Sequence, residues 1–196
     1  MKILALSPHT DDIELGCGGF LSKMSEAGHP VYVICFSRVY SGVDLYEEHK
    51  KSMDVLKPAK NWIFEQKTRE FNRQEVLEVM IHAKGIIEPD IVLCPSSKDV
   101  HQDHAIIHNE AVRAYSKSSS LLGYDLPWNC RGFNPNYFVR IEKRHKEQKQ
   151  QMLECYRSQE KKSYFNKEFI TSNLIFRGIQ INYKYAEAFE LITWIS

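Results

Sequence analysis

Several things are missing from this chain, and each absence closes off a class of protein. There is no cysteine framework: Cys17, Cys35, Cys94, Cys130 and Cys155 are odd in number and widely scattered, with no CxxC pair among them. That argues against a disulfide scaffold and against a thiolate zinc site. Three of the five lie in apolar or small-residue contexts, which suit buried free thiols in a reducing, cytoplasmic setting. No segment approaches the roughly 18 apolar residues that span a bilayer, and MKILALSPH is too short an apolar run for a signal-peptide core. An excess of one charge is also missing. Lys and Arg number 26 against 25 Asp and Glu, a formal charge of +1, so nothing points to nucleic acid or an anionic membrane as partner. Finally, there is no full GxGxxG. LGCGGF (15–20) carries only G-x-G-G, well past the first strand and inside a predicted helix, where small residues serve close packing on a sheet better than nucleotide binding. What remains is 196 residues at 43% hydrophobic content, suited to one globular domain over 1–196.

The apolar pattern alternates in type. Ile3–Leu6, Val31–Phe36 (VYVICF), Asn61–Phe64 and Asp90–Cys94 (DIVLC) read as strands. Glu14–Ala27, Tyr46–Leu56, Arg73–Glu88 and a segment from Asp103 to about Tyr115 read as helices, punctuated by Gly28, Pro58 and Pro89. Lys117–Asn136 mixes Ser, Gly, Pro and aromatics and reads mostly as loop. Tyr137–Ile141 reads as a strand and Lys143–Ser158 as a charged helix with Met152, Leu153 and Tyr156 on its apolar side. The runs from Phe169 to Ile195 do not declare their type. Strand–helix alternation predicts a Rossmann-like, doubly wound, mostly parallel α/β sheet with helices on both faces. Ligands bind such sheets beyond the carboxyl ends of the strands, where strand order reverses. In the common 3-2-1-4 order, the loops after strands one and four meet there.

Those two loops hold the polar residues that need explaining. PHTDD (8–12) follows strand one, and HQDHAIIH (101–108) follows strand four; between them they carry four of the eight histidines. Each has a plain explanation alone. Thr10, Asp11 or Asp12 could cap a helix, as could Asp103, and His104 with His108 could be an i, i+4 surface pair. Together, at facing loops, they suit a catalytic zinc site, which takes three N or O ligands and keeps one position open. His9 and Asp12, three residues apart around a turn, can converge, with His104 as the third ligand. Asp11 is then left beside the metal as a general base, and the cation explains two adjacent carboxylates. His101, paired with Asp103 and charged, could steady an oxyanion and protonate a leaving amine. His108 reads as support behind the ligands or as packing, not as a ligand. Fe2+ or Co2+ could replace Zn2+, because a mixed N/O site discriminates weakly.

The same segments resemble a known family. PHTDDIELGCGG and HQDHAIIH are similar to the HPDD…LGCGG and HxDHxxxH motifs of the PIG-L/LmbE-like zinc deacetylases. KEQKQQMLECYRSQ resembles the family's Lys…Tyr-Lys-Ser-Gln helix, and RGIQINYKYAEAFELI its closing segment. The resemblance implies zinc ligands at His9, Asp12 and His104, a base at Asp11, and His101 acting on the intermediate, oriented by Asp103. It implies removal of the acetyl group from an N-acetylated amino sugar or sugar conjugate, a small-molecule substrate, and leaves a homo-oligomer open. An amidase on another amide, such as a thiol-conjugate, and a metal-retaining binding protein without turnover are the competing expectations. Three positions depart from the pattern. Thr10 replaces Pro, Leu45 stands where an Arg is usual, and Leu56-Lys57 replaces Leu-Gly.

Overall fold

A computed structural model describes residues 1–40 and 42–196. In chain order the elements are β1 (Ile3–His9), α1 (Asp12–Glu26), β2 (Val31–Ser37), β3 (Val39–Tyr40), β4 (Val43–Asp44), α2 (Tyr46–Leu56), β5 (Lys60–Ile63), α3 (Arg73–Ile87), β6 (Ile91–Pro95), α4 (Gln102–Tyr115), β7 (Ser120–Tyr124), β8 (Tyr137–Arg140), α5 (Lys143–Glu154), α6 (Lys167–Ile179) and β9 (Ala186–Thr193). Seven strands form one sheet in the order β5-β2-β1-β6-β7-β9-β8, and β3 and β4 form a separate hairpin. The first five strands of that order run parallel, and β9 is antiparallel to β7 and β8. The expected 3-2-1-4 order is therefore realised as β5-β2-β1-β6. Alternate residues of β1 serve two cores. Ile3 and Ala5 pack with α1, α2, α5 and α6, and Leu4 and Leu6 with α3 and α4. A strand buried on both faces has no polar side to show, which is why it reads as a continuous apolar run.

The stretch 117–136 is mostly loop, as its composition suggests, but it also holds β7, a strand buried along its whole length. Ser120–Tyr124 has no β-branched residue and a glycine inside it, so local preference is silent. Position 123 needs that glycine: a Cβ there would lie 3.0 Å from the Ser96 Cα. The unsettled tail divides into α6 and β9.

The LGCGG run packs α1 onto the sheet, as expected, and it also breaks the helix. Cys17 leaves helical geometry, at φ −143° and ψ 17°. A straight helix would bond Gly19 N–H to Leu15 C=O. Instead Lys149 Nζ donates to Leu15 O at 2.7 Å, while Glu187 accepts from Gly19 N at 2.9 Å and Phe20 N at 2.6 Å. Lys149 and Glu187 also pair with each other at 2.7 Å, both side chains nearly fully buried. The orphaned carbonyl and amides of the break are thus satisfied by an ion pair from α5 and β9. Glu187→Ala should lower unfolding free energy by about 3–5 kcal/mol, because it strands a buried ammonium and two amides. Urea denaturation checks this, with Glu187→Gln costing less; a loss under about 1 kcal/mol would show that the pair does not hold the break.

Candidate functional site

The parallel register of β1 with β6, Ala5 opposite Leu93, brings the ends of both strands to one edge of the sheet. His9 ends β1, and the loop after β6 leads into α4. There His9 Nδ1, Asp12 Oδ2 and His104 Nε2 converge. The His9–His104 separation is 3.1 Å, and Asp12 lies 3.3 Å from each. His101 joins them, so that nitrogens of His9, His101 and His104 lie within 4.8 Å of one another, a three-histidine cluster able to coordinate a divalent metal. His9, Asp11, Asp12, His101 and His104 line a cavity of about 200 Å³, and Trp128, Gln159 and Tyr164 line it too.

Neither capping explanation describes these residues. Asp11 precedes α1 but its side chain makes no cap hydrogen bond, and Asp12 Oδ2 turns back to accept from His9 N at 2.8 Å. At α4 the cap is His101, whose Nδ1 accepts from Asp103 N at 3.2 Å. The expected Asp103–His101 carboxylate pair does not form. Asp103 Oδ2 instead holds His9 Nε2 at 2.9 Å and accepts from Arg69 N at 2.8 Å. The sequence spacing suggested the wrong partner because the N-terminal turn of α4 aims Asp103 across to β1, away from its neighbour two residues back. Arg69, at φ 70°, turns its amide toward that carboxylate.

Asp99 escaped the sequence reading. Its Oδ2 holds His104 Nδ1 at 2.7 Å, and its Oδ1 accepts from His101 N at 2.9 Å. A carboxylate on the far nitrogen fixes the tautomer and ring orientation of a histidine whose other nitrogen faces a metal. His9 and His104 each carry one, from Asp103 and Asp99. The only sequence signal was an acidic residue five positions before His104, which is not a helix spacing. His108 Nδ1 donates to Pro95 O at 2.9 Å.

Electrostatics divide these groups. Burial alone would lower the His104 pKa, but Asp12 and Asp99 override it and raise it to about 10. Burial would raise Asp12, yet His104 and His9 hold it well below the usual carboxylate range. Asp11, adjacent in sequence, moves the opposite way: burial and then the Asp12 charge push it up to about 6, against an opposing pull from Lys162. Burial, with His104 and His9, lowers His101, which favours the neutral ring. Since its Nδ1 already accepts from a backbone amide, that ring carries its proton on Nε2. Two adjacent carboxylates with separated pKa values are the mark of divided roles.

Behind this loop, His49 Nδ1 lies 3.1 Å from both Thr10 O and Tyr156 OH, and Tyr156 OH is also within hydrogen-bond reach of Thr10 O and Glu14 Oε1. Glu48 accepts from Ser158 N and Oγ, tying α2 to the segment that follows α5. Of the departures, Lys57 adopts the left-handed φ of 57° where a glycine is usual, and Leu45 is buried against the cavity.

A family model for GlcNAc-PI de-N-acetylase, PIG-L, matches residues 4–115. The uncharacterized deacetylase YaiS of Escherichia coli K12 is 28% identical over 156 residues, covering 73% of this chain and 83% of that protein. The N,N′-diacetylchitobiose deacetylase of Pyrococcus horikoshii superposes with a TM-score of 0.81 at 22% identity, over 97% of this chain and 83% of that one. GalB of Pseudomonas putida KT2440, a 4-carboxy-2-hydroxymuconate hydratase, superposes at 0.80 and 19% identity, over 100% and 98%. A deacetylase and a hydratase share this fold, so the fold alone does not name the reaction. No helix of the described residues is long and apolar enough to cross a membrane.

Proposed function

The chain belongs to the PIG-L family, whose model spans both motif loops, and from that premise we propose that it is a zinc-dependent N-deacetylase acting on an N-acetylated amino sugar or sugar conjugate. The observation that carries this reading is the triangle of His9 Nδ1, Asp12 Oδ2 and His104 Nε2, with sides of 3.1 to 3.3 Å, beside buried Asp11. Zinc–ligand bonds of about 2.0–2.2 Å at tetrahedral angles require ligand atoms about 3.3 Å apart. The triangle meets that spacing, so His9, Asp12 and His104 are assigned as ligands. His101, the third histidine of the cluster, is left available to substrate.

A bound divalent ion supplies Lewis acidity, polarising the amide carbonyl and making water more acidic. Asp11 takes the proton from the attacking water. Neutral His101 donates from Nε2 to the carbonyl oxygen as negative charge develops there. Asp103 and Asp99 hold the two ligand histidines in the required tautomers. Asp11 then passes its proton to the departing nitrogen, and acetate and the free amine leave. Leu45, Trp128 and Tyr164 line the same cavity.

The test is amine release from a panel of N-acetylated sugars and conjugates, with the protein loaded with Zn2+, Fe2+ or Co2+ and with a chelator present. Release that stops with chelator and returns on adding metal is the expected result. A protein that binds one equivalent of metal yet releases no amine from any member would sink the reading.

A further inference from the structure

The cavity lining also carries an aromatic pair that holding a metal does not require. Trp128, in the loop after β7, and Tyr164, in the 3-10 turn Ser163–Phe165, stack with centroids 4.0 Å apart and planes 12° from parallel. Phe169 of α6 packs against Trp128 at 6.3 Å. The stacked pair is half-buried and lines the cavity. Gln159 lines the same cavity and is 5% exposed, and its Oε1 has no hydrogen-bond partner among the described residues. Buried acceptors are almost always paired, so one left over at a cavity wall marks a place where a donor belongs.

Size narrows the occupant. Cavities of about 300–1,000 Å³ enclose drug-sized ligands; this one holds about 200 Å³. One ring fits, and anything attached to it lies outside. Leu45 lines the same cavity, at the position where the family resemblance places an arginine, so that part of the lining is apolar. A pyranose ring offers a C–H face for aromatic contact and hydroxyl donors at its rim. We infer that the Trp128–Tyr164 pair is the platform on which the closed ring of the substrate lies, with Gln159 Oε1 accepting one rim hydroxyl; this rests on the deacetylase reading proposed above. The acetamide then projects from the platform toward Asp11 and His101 at the other end.

The experiment compares two probes with the metal-loaded full chain. Methyl N-acetylglucosaminide has a closed ring, and N-acetylglucosaminitol carries the same acetamide on an open chain. Trp128→Ala should raise KM for the closed ring about tenfold with kcat within about twofold, the pattern of lost uniform binding. The open-chain probe should show no such change. Trp128→Phe should retain most affinity. Trp128→Leu, which keeps bulk without a ring face, should behave like Ala and serves if Ala does not fold. An unchanged KM in the Ala and Leu variants, or equal losses on both probes, overturns the platform while leaving the deacetylase reading standing. If the wild type releases amine from neither probe, the platform is read by binding. Saturable quenching of tryptophan fluorescence by methyl N-acetylglucosaminide, absent in Trp128→Phe, supports it, and no quenching overturns it.

Discussion

Asp11→Asn is expected to lower turnover by about 10²- to 10⁴-fold, the range for removing a general base, with metal content unchanged. Asparagine matches aspartate in shape but cannot take a proton, and Asp11 makes no cap bond whose loss would disturb α1. The pH profile gives the second check. A base works only when deprotonated, so wild-type kcat/KM should fall as pH drops through the Asp11 pKa. Burial and Asp12 push that pKa up to about 6. A bound cation pulls it down, so the acidic limb should lie at or below about pH 6. In Asp11→Asn that limb should disappear from whatever activity remains. Asp12→Asn should instead lose metal and activity together. Should Asp11→Asn shed the metal while Asp12→Asn keeps it, base and ligand are exchanged; turnover within about threefold of wild type would remove Asp11 from the chemistry.

The parts of this site that were legible in the sequence are those set by strand order and chain-local geometry. Continuous apolar runs gave β1, β2, β5 and β6, the 3-2-1-4 order followed, and that order put PHTDD opposite HQDH. The structure brings His9, Asp11, Asp12, His101 and His104 to one cavity, as that argument requires. What was not legible depends on contacts with no periodic signature. Strand β7 is held by β6 and β9 on either side, not by its own residues. Asp103 reaches His9 across 94 positions, so reading it against its nearest histidine gave the wrong partner. Asp99 acts through a loop whose shape no spacing rule predicts. Lys149 and Glu187 stood out only as parts of family motifs; their purpose emerges from the break at Cys17, which they satisfy from 134 and 168 positions away.

The largest effect on metal should come from His104→Ala, which is expected to lose most of the bound ion, since it removes one of three ligands. His101→Ala should keep it, because His101 is not one of the three assigned ligands. Asp99→Asn should fall between, weakening affinity by about 10- to 100-fold through its hold on His104 Nδ1. Wild-type affinity should itself depend steeply on pH. Without metal, Asp12 and Asp99 overcome the effect of burial and raise the His104 pKa to about 10, so near neutrality the ring is charged and its proton sits where the ion must bind. A metal needs the neutral imidazole, and binding therefore releases that proton. Apparent Kd should fall about tenfold per pH unit as pH rises through 7 to 9, and level off above about 10. Competition with a chromophoric chelator across that range reads the slope, and proton release into weak buffer gives an independent count. The protonated His104 also takes the cation's place beside Asp12, so removing metal should lower Tm without unfolding the chain. A pH-independent Kd, or full metal occupancy in His104→Ala, would take His104 out of the ligand set and shift the assignment toward His9 with His101.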